Sequence, residues 1–562
     1  MSIGSYAKNL SRAGQIVTFA TLFNFTVSIA WATEAVFVSG TVFQDDNGDG
    51  KRDSTEPGLA EVSVSNGIEI TFTNQEGHYE LPVNAGQAIF VIKPRNYRFH
   101  RRPDGQPDFY EIYAPDGSPD HLSLRYPGLL PSGHETNSID FALIESPEPD
   151  SFSAAVLADT QVQSDSELTY LREDIITELM EVDAAFAIIA GDLVFDNLAL
   201  LPRLNRLFGR LDYPWYAVPG NHDVNFQAPD DAFSLETYKS FYGPPYYSFN
   251  VGPAHFVVLD SVSYLGPEGR ILEATPGEDP RTILYEGRLS QNQLTWLAAD
   301  LATVPKDQLV VVVMHIPVAG RDNPELSVLN GSELLALLER QEHLLILSGH
   351  LHRASHHYHP RSETAGSTRP VHEHVLGAAS GGWWGGPLDA DGIAIARQSD
   401  GTPNGYYLLT VTGNDAKMRF KAARRPADHQ MRVHILPVHG AKSTGAELNR
   451  LVSAPIPVEQ LPAMEIVVNF FESGPKSEVH FALEEHEPIL MTRSPRKDPA
   501  QRYLENLQRD RRLLWPKPKD SNKIWVAPLP RDLDPGLHRL TVEATDDYGQ
   551  QHAKTLLFEV AP

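Results

Sequence analysis

The sequence contains no cysteine. This absence excludes thiolate catalysis, cysteine-ligated metals and disulfide bonds. A chain of 562 residues must therefore obtain its stability from hydrophobic cores and from any metal ions that it binds. Its length indicates about three domains.

Positive charge is also scarce, with 47 Lys and Arg residues against 73 Asp and Glu residues and a formal net charge of −26. Such a chain repels polyanions, which argues against general nucleic-acid binding. A metal-dependent nuclease would need a basic groove for its polymer, and the net charge disfavours that function.

Long apolar runs are missing except at the N-terminus. There, Lys8 and Arg12 precede an acid-free run from Ile16 to Ala32, which predicts a secretory signal at residues 1–32 with cleavage after Ala32. The alternative is a retained membrane anchor, but five Thr, Ser and Asn residues make the run weakly apolar. No later stretch approaches the ~20 apolar residues of a spanning helix. We expect an exported, periplasmic or extracellular protein without a transmembrane segment after signal removal.

The chain divides into three parts by its hydrophobic pattern. Residues 33–146 and 426–562 contain short β-branched runs broken by turns, which predict a β-domain at each end, the second a β-sandwich. Between them, residues 151–425 alternate apolar strands with helical patterns, which is typical of layered α/β architecture. The predicted fold class is therefore α/β, a layered β-sandwich flanked by helices, with all-β domains at both ends.

An acidic loop near the N-terminus fits the calcium-loop pattern D-x-N-x-D-G with a closing Glu. Its candidate ligands are Asp45, Asn47, Asp49, Asp53 and Glu56. Because strands rather than helices flank the loop, we expect a structural calcium site and not a helical sensor. The alternative is an acidic turn that binds nothing.

Five polar clusters in the middle part each follow an apolar strand. They are Asp159-Thr160-Gln161, Gly191-Asp192, Gly220-Asn221-His222-Asp223, Met314-His315-Ile316-Pro317 and Ser348-Gly349-His350-Leu351-His352. Loops that leave neighbouring strands converge at one edge of a layered α/β protein, so these side chains are expected to form one site. A mixture of carboxylates, amides and imidazoles suits borderline divalent metals better than calcium.

The order and content of these clusters resemble the calcineurin-like metallophosphoesterase superfamily, whose motifs are D-x-H, G-D, G-N-H-[DE], H and G-H-x-H. The resemblance spans about residues 151–425, and the chain looks like a member of a bacterial exported branch with extra β-domains at both ends. It implies two divalent transition-metal ions, with Mn, Fe or Zn as candidates. One ion would be held by Asp159, Gln161, Asp192 and His352, and the other by Asp192, Asn221, His315 and His350.

The same resemblance implies hydrolysis of a phosphodiester or phosphomonoester by a hydroxide activated between two metals. His222 matches the catalytic histidine and would protonate the leaving alkoxide. Asp223 or Asp196 could orient it, and spacing alone does not choose between them. Gln161 stands where the family usually has His, which predicts weaker metal binding or a preference for a harder ion.

Other aromatic and histidine residues follow the last cluster. Trp383 and Trp384, in a glycine-rich segment, are candidates for a substrate-pocket wall, with a core edge or domain interface as the alternative. His356, His357 and His359 lie in a polar stretch and are interpreted as loop residues.

The sequence is consistent with two functions of different classes. The first is an exported phosphoesterase acting on a small-molecule or envelope phosphate ester. The alternative is a non-catalytic, calcium-binding surface or binding protein with a relic phosphoesterase domain, which predicts loss of ligands that are nearly all present here. The substrate and the oligomeric state do not follow from the sequence.

Overall fold

The computed structural model describes residues 36–133, 138–272, 280–319, 323–362, 367–438, 455–484, 486–508 and 517–562. The predicted signal, residues 1–32, lies outside these ranges. Within them, none of the helices combines the length and apolar character needed to cross a membrane.

Two four-stranded sheets form the N-terminal part, in the orders β4-β1-β8-β6 and β3-β2-β5-β7. Alternation of buried and exposed residues along β4 turns one face of its sheet inward, as the period of two in a strand requires. The strands are β1 (Val36–Gln44), β2 (Ser63–Ser65), β3 (Ile70–Phe72), β4 (His78–Val83), β5 (Gln87–Val91), β6 (Tyr97–Arg98), β7 (Tyr110–Tyr113) and β8 (Phe141–Glu145).

In the residues that the structure describes, the middle part has fifteen strands. They are β9 (Ser151–Leu157), β10 (Ala187–Ile189), β11 (Trp215–Ala217), β12 (Tyr247–Val251), β13 (Ala254–Val258), β14 (Val262–Tyr264), β15 (Arg270–Leu272), β16 (Arg281–Ile283), β17 (Tyr285–Gly287), β18 (Leu309–Val313), β19 (His343–Ser348), β20 (Ser355–His359), β21 (Val371–Val375), β22 (Gly405–Thr412) and β23 (Asp415–Ala422).

Its helices are α1 (Asp165–Leu171), a π-helical turn (Arg172–Ile176), α2 (Thr177–Leu179), α3 (Leu201–Phe208), α4 (Asp231–Ser234), α5 (Glu236–Tyr242), α6 (Gln291–Thr303) and α7 (Gly331–Leu338). Capping by serine starts two of them: the Ser164 side chain accepts from the Glu167 N–H at α1, and the Ser290 side chain accepts from the Gln293 N–H at α6.

The two largest sheets of this part have the orders β11-β10-β9-β22-β23 and β12-β13-β18-β19-β21-β20, and the described residues also form two-stranded sheets, β14-β17 and β15-β16. Strands β9, β10 and β11 pair in parallel, and so do β13, β18, β19 and β21. Strand β18 is buried along its whole length, as expected for a strand covered on both faces. The parallel pairing directs the carboxyl ends of neighbouring strands to a common edge.

The C-terminal part forms a four-stranded sheet, β24-β26-β32-β29, and a five-stranded sheet, β25-β34-β33-β27-β28, around a hydrophobic core of its own. Its elements are β24 (Met431–Pro437), β25 (Ile456–Pro457), β26 (Met464–Phe470), β27 (Glu478–Leu483), β28 (Ile489–Leu490), β29 (Thr492–Arg493), β30 (Arg496–Lys497), α8 (Pro499–Gln508), β31 (Asp520–Ser521), β32 (Ile524–Pro528), β33 (Gly536–Thr545) and β34 (Gln551–Ala561).

The N-terminal and middle parts share one continuous core. At their contact, the Trp296 indole on α6 donates to the Ser65 hydroxyl at 3.1 Å and lies 6.2 Å from the Phe90 ring. The predicted layered α/β fold with strand-rich flanks is confirmed. One local prediction is wrong, because residues 355–359 form strand β20 rather than a loop. That strand carries three histidines in five residues and lacks the alternating apolar residues by which strands are recognised.

Candidate metal centre

The structure brings the five strand-end clusters together at one edge of the two sheets. The backbone N–H of His350, after β19, donates to both carboxylate oxygens of Asp159, after β9, at 3.1 Å. The Gln161 N–H donates to the Asp192 carbonyl at 2.9 Å. All seven side chains predicted to bind metal therefore belong to one connected set of contacts.

Asp192 lies at the centre of this set. Its Oδ1 accepts from the His222 N–H at 2.9 Å, and its Oδ2 accepts from Gln161 Nε2 at 2.7 Å and lies 3.1 Å from His315 Nε2. Burial raises the pKa of this carboxyl, but the charges of His315 and His222 outweigh burial and hold the pKa below its ordinary value. Asp192 is accordingly an ionised carboxylate inside the protein.

Each predicted histidine ligand has one ring nitrogen held by a backbone carbonyl. His315 Nδ1 bonds the Ala190 carbonyl at 2.9 Å, His350 Nε2 the Glu325 carbonyl at 2.7 Å, and His352 Nδ1 the Gly381 carbonyl at 3.0 Å. The other nitrogens of His315 and His352 face the carboxylates of Asp192 and Asp159, and that of His350 lies 3.3 Å from His315 Nε2. A carbonyl behind the imidazole fixes the tautomer in the way common among metal-ligating histidines.

The side chains fall into two groups that share Asp192. Ligand atoms of Asp192, His315 and His350 lie within 4.8 Å of one another, and Asn221 Oδ1 lies 3.1 Å from His315 Nε2. On the other side, His352 Nε2 lies 3.4 Å from Asp159 Oδ1. The donor set of carboxylates, amides and imidazoles fits divalent metal ions.

Gln161 supplies an independent test of that fit. With its Nε2 committed to Asp192, its Oε1 is buried and has no hydrogen-bond partner among the described residues. A buried oxygen without a partner costs about 1–3 kcal/mol. A metal ion beside Asp159 would satisfy it, so the amide that replaces the family's usual His is compatible with ligation.

Backbone strain is concentrated at this edge. Positive φ angles in the left-handed region occur at ligand residues in three of the five clusters: Asp159 (53°), Gln161 (35°), Asp192 (52°), His350 (71°) and His352 (49°). Such conformations each cost of order 1–3 kcal/mol and persist where function requires them. Here they turn the side chains back toward the common centre.

His222 occupies a different position from the ligands. Its Nδ1 lies 2.6 Å from Asp196 Oδ1, and its ring stacks on Phe195 at 4.2 Å. The His222 side chain is 22% exposed, whereas His315 is fully buried, so His222 faces the approach to the centre. Burial alone would lower the pKa of His222. The charges of Asp192 and Asp196 have the larger effect, so the pKa of His222 lies above its ordinary value.

The structure decides which carboxylate orients His222. It is Asp196, because the Asp223 carboxylate is fully buried and accepts instead from the N–H groups of Leu193 and Gly220 at 3.0 and 2.9 Å. Burial, followed by the charge of Asp192, raises the Asp223 pKa to about 7. Through these hydrogen bonds, Asp223 connects the loop that carries Asp192 to the loop that carries Asn221.

Sequence reasoning missed two supporting residues. Tyr126, from the N-terminal part, donates to the Asp196 carbonyl at 3.0 Å and so holds the loop beside His222. Glu373 on β21 accepts from the N–H groups of Val318 and Ala319 at 2.8 and 2.7 Å, which fixes the loop after His315. Neither residue lies in a motif, and their roles depend on long-range contacts.

The two tryptophans have different surroundings. Trp383 is half-buried and stacks on His352 at 4.4 Å, so it borders the centre. Trp384 is 3% exposed and its indole donates to the Thr160 carbonyl at 2.9 Å. The structure therefore corrects the pocket-wall prediction for Trp384, which packs into the core behind the Asp159 loop.

The acidic loop near the N-terminus is tied to its own backbone. Asp45 accepts from the N–H groups of Gly48 and Gly50 at 2.7 and 2.8 Å and lies 2.5 Å from His100 Nε2. Glu56 accepts from the N–H groups of Asp46 and Asp53. Among the described residues, the loop carboxylates do not gather into a group of three with ligand atoms within 4.8 Å.

Comparison with protein-family models gives three matches that together span most of the chain. The model for calcineurin-like phosphoesterase matches residues 152–354, and those for the N terminal and C terminal of calcineurin-like phosphoesterase match residues 46–126 and 373–552. The chain belongs to the calcineurin-like phosphoesterase family. The predicted family and fold are confirmed. This calcineurin-like phosphoesterase is a metal-dependent phosphoric ester hydrolase that uses divalent metal ions.

Solved structures similar to this calcineurin-like phosphoesterase include purple acid phosphatase PPD1 from yellow lupin (Lupinus luteus) seeds. The identity is 12%, covering 65% of this chain and 67% of that chain, with a TM-score of 0.33. Another is GAP50, the anchor in the inner membrane complex of Plasmodium, at 14% identity over 49% of this chain and 85% of that chain, with a TM-score of 0.28. No curated protein matches the chain.

Proposed function

We propose that the protein is an exported enzyme that hydrolyses phosphodiester or phosphomonoester bonds at a pair of divalent transition-metal ions. The observation that carries the proposal is the position of Asp192, whose Oδ2 lies 2.7 Å from Gln161 Nε2 and 3.1 Å from His315 Nε2. One carboxylate between two ligand groups is what a bridged metal pair requires. Export is proposed from the apolar N-terminal run.

The ligands divide between the two ions. Asp159, Gln161, Asp192 and His352 would hold one ion, and Asp192, Asn221, His315 and His350 the other, with Mn, Fe or Zn as the candidate metals. Two bound ions would supply an activated water and would neutralise charge on both the attacking and the leaving oxygen.

His222 is proposed to protonate the leaving alkoxide. Its Nδ1 is fixed by Asp196 at 2.6 Å and its ring stacks on Phe195, so Nε2 is the nitrogen that would carry the transferred proton. A fixed ring can present its proton in one direction without loss of side-chain freedom in the reaction. The partial exposure of His222 leaves room for an ester beside it.

The substrate is proposed to be a small-molecule or envelope phosphate ester, in keeping with the net charge of −26. The alternative, a non-catalytic calcium-binding protein with a relic domain, would tolerate scattered or missing ligands. Here the ligands converge, and strained backbone is retained at five of them.

The proposal is tested by metal analysis of the purified protein together with hydrolysis of bis-p-nitrophenyl phosphate and p-nitrophenyl phosphate. We expect transition metal in the protein, cleavage of at least one ester, and loss of cleavage after chelation with recovery on adding Mn²⁺ or Zn²⁺. The faster ester separates a diesterase from a monoesterase. Survival of both esters with every metal added would leave only the binding-protein function.

Replacing Gln161 by His is expected to tighten metal binding at the centre. An imidazole nitrogen is a better ligand for borderline metals than an amide oxygen, so the Zn²⁺ concentration needed for half-maximal activity should fall about tenfold. Gln161→Ala is the matched control and should raise that concentration. Equal metal dependence in all three proteins would show that Gln161 does not contact an ion.

Calcium binding by the loop of Asp45, Asn47, Asp49, Asp53 and Glu56 remains a prediction. A calcium ion would have to compete with His100 for Asp45. If it binds, added Ca²⁺ should raise the thermal unfolding temperature of the wild type by several degrees, with no rise in Asp49→Ala. An unchanged unfolding temperature in the wild type would identify the loop as an acidic turn.

A further inference from the structure

A second convergent group of metal-ligating side chains lies apart from the phosphoesterase centre. It consists of His356 on β20, His374 on β21 and Glu472, which follows β26 in the C-terminal part. All three are buried, and one ligand atom of each lies within 4.8 Å of the others. The group therefore lies where the six-stranded sheet of the middle part, called the catalytic sheet below, meets the C-terminal part.

Each member of the group is held by a neighbour on its far side. His356 Nδ1 bonds His372 Nε2 at 3.0 Å, and His374 Nδ1 bonds the Tyr548 hydroxyl at 3.0 Å. The Tyr407 hydroxyl donates to Glu472 Oε1 at 3.1 Å. The outer atoms are thus occupied. On the inner side, His374 Nε2 lies 3.0 Å from Glu472 Oε2, and the His356 ring stacks on the His374 ring at 4.1 Å. This is the arrangement by which proteins orient metal ligands.

One inner atom has nothing to bind. His356 Nε2 is buried and lacks a hydrogen-bond partner among the residues that the structure describes. Leaving such an atom without a partner costs about 1–3 kcal/mol. It borders a cavity of about 10 Å³, which is close to the minimum space for one water molecule or ion.

The spacing of the inner atoms suits a small metal ion. His374 Nε2 and Glu472 Oε2 are 3.0 Å apart, whereas ligands around tetrahedral zinc are separated by roughly 3.3 Å. An ion held by both atoms would replace the proton that they share in this hydrogen bond and would widen the distance slightly. The nearby Lys523 pairs with Asp400 at 2.9 Å, so its positive charge is offset at that contact.

We propose that His356, His374 and Glu472 form a further metal site, distinct from the phosphoesterase centre, for a borderline divalent ion such as Zn²⁺. Two imidazoles and one carboxylate are a donor set typical of such ions. Because Glu472 belongs to the C-terminal part and both histidines to the catalytic sheet, the ion would join the two parts. Its role is structural, since all three ligands are buried.

The site is tested by diffraction from crystals of the full-length protein grown with Zn²⁺, using anomalous scattering at the zinc edge. We expect a peak between His356 and Glu472 in the wild type and in Asp192→Asn. That peak should vanish in His356→Asn, where the amide can replace Nδ1 beside His372 but nothing replaces Nε2. Peaks confined to the phosphoesterase centre would overturn the proposal.

A second measurement uses protein in solution and does not need crystals. Equilibrium dialysis should give His356→Asn one fewer Zn²⁺ than the wild type, whereas His255→Asn, which alters a buried histidine elsewhere, should lose none. If His356→Asn fails to fold, Glu472→Gln retains the shape and removes the ligand charge. Equal zinc content in wild type, His356→Asn and Glu472→Gln would show a buried hydrogen-bond network without a metal.

Discussion

Replacing Asp192 by Asn is expected to reduce phosphoesterase activity by about 10³-fold or more, equivalent to roughly 4 kcal/mol of lost transition-state stabilisation. Asp192 contacts His222, Gln161 and His315 through a single carboxylate. The asparagine retains the size and one oxygen but not the charge, so both ligand groups lose their shared anion. The measurements are kcat/KM for the preferred ester and the metal content of the purified variant.

Asp300→Asn is the matched control for this variant. Asp300 is also fully buried and lies 2.9 Å from a histidine, His255, but it is on α6 and outside the centre. The Asp300→Asn substitution should lower the stability of the protein but leave the activity and the metal content of the folded protein unchanged. If Asp192→Asn keeps near-wild-type activity with full metal, Asp192 does not bridge the centre.

The sequence was most informative where apolar strands end in polar clusters. Asp159, Asp192 and His315 each come soon after a buried strand end, where an acid or imidazole without a partner would be costly. Parallel strands then bring their carboxyl ends to one edge, so the convergence of the clusters follows from the alternation of strands and helices. The order of the motifs added a division of the ligands between two ions, which stays a prediction.

Contacts between distant segments could not be predicted in the same way. The sequence left Asp196 and Asp223 equally able to orient His222, and the choice depends on how Asp223 binds the N–H groups of the Asp192 loop. Tyr126 reaches the same loop from another part of the chain. No local pattern encodes either contact.

The histidines of β20 show a second limit. A strand is recognised from the sequence by alternating apolar residues, and His356 offers a polar side chain in place of one. It is nevertheless buried, because His374 and Tyr548 cover it from neighbouring segments. Burial of a polar residue by tertiary contacts is invisible to a pattern based on hydrophobicity.

Replacing His222 by Ala is expected to slow hydrolysis by an amount that depends on the leaving group. An alkyl phosphate ester needs a proton on its departing oxygen, so its kcat should fall about 10²–10⁴-fold, the range typical of lost general acid catalysis. A p-nitrophenolate ion leaves without a proton, and its ester should lose far less. Asp196→Asn should reproduce the same selectivity more weakly, because the ring remains but its orientation by the carboxylate is lost.

The comparison of leaving groups separates two roles for His222. If the residue only stabilised charge on the phosphoryl oxygens, both esters would slow by the same factor, and the proton-donor assignment would fail. His538→Ala, at a half-buried histidine in the C-terminal part, should affect neither ester. Metal content should be unchanged in His222→Ala, because His222 lies beside the ligand groups with its Nδ1 committed to Asp196, and a loss of metal would make it a ligand instead.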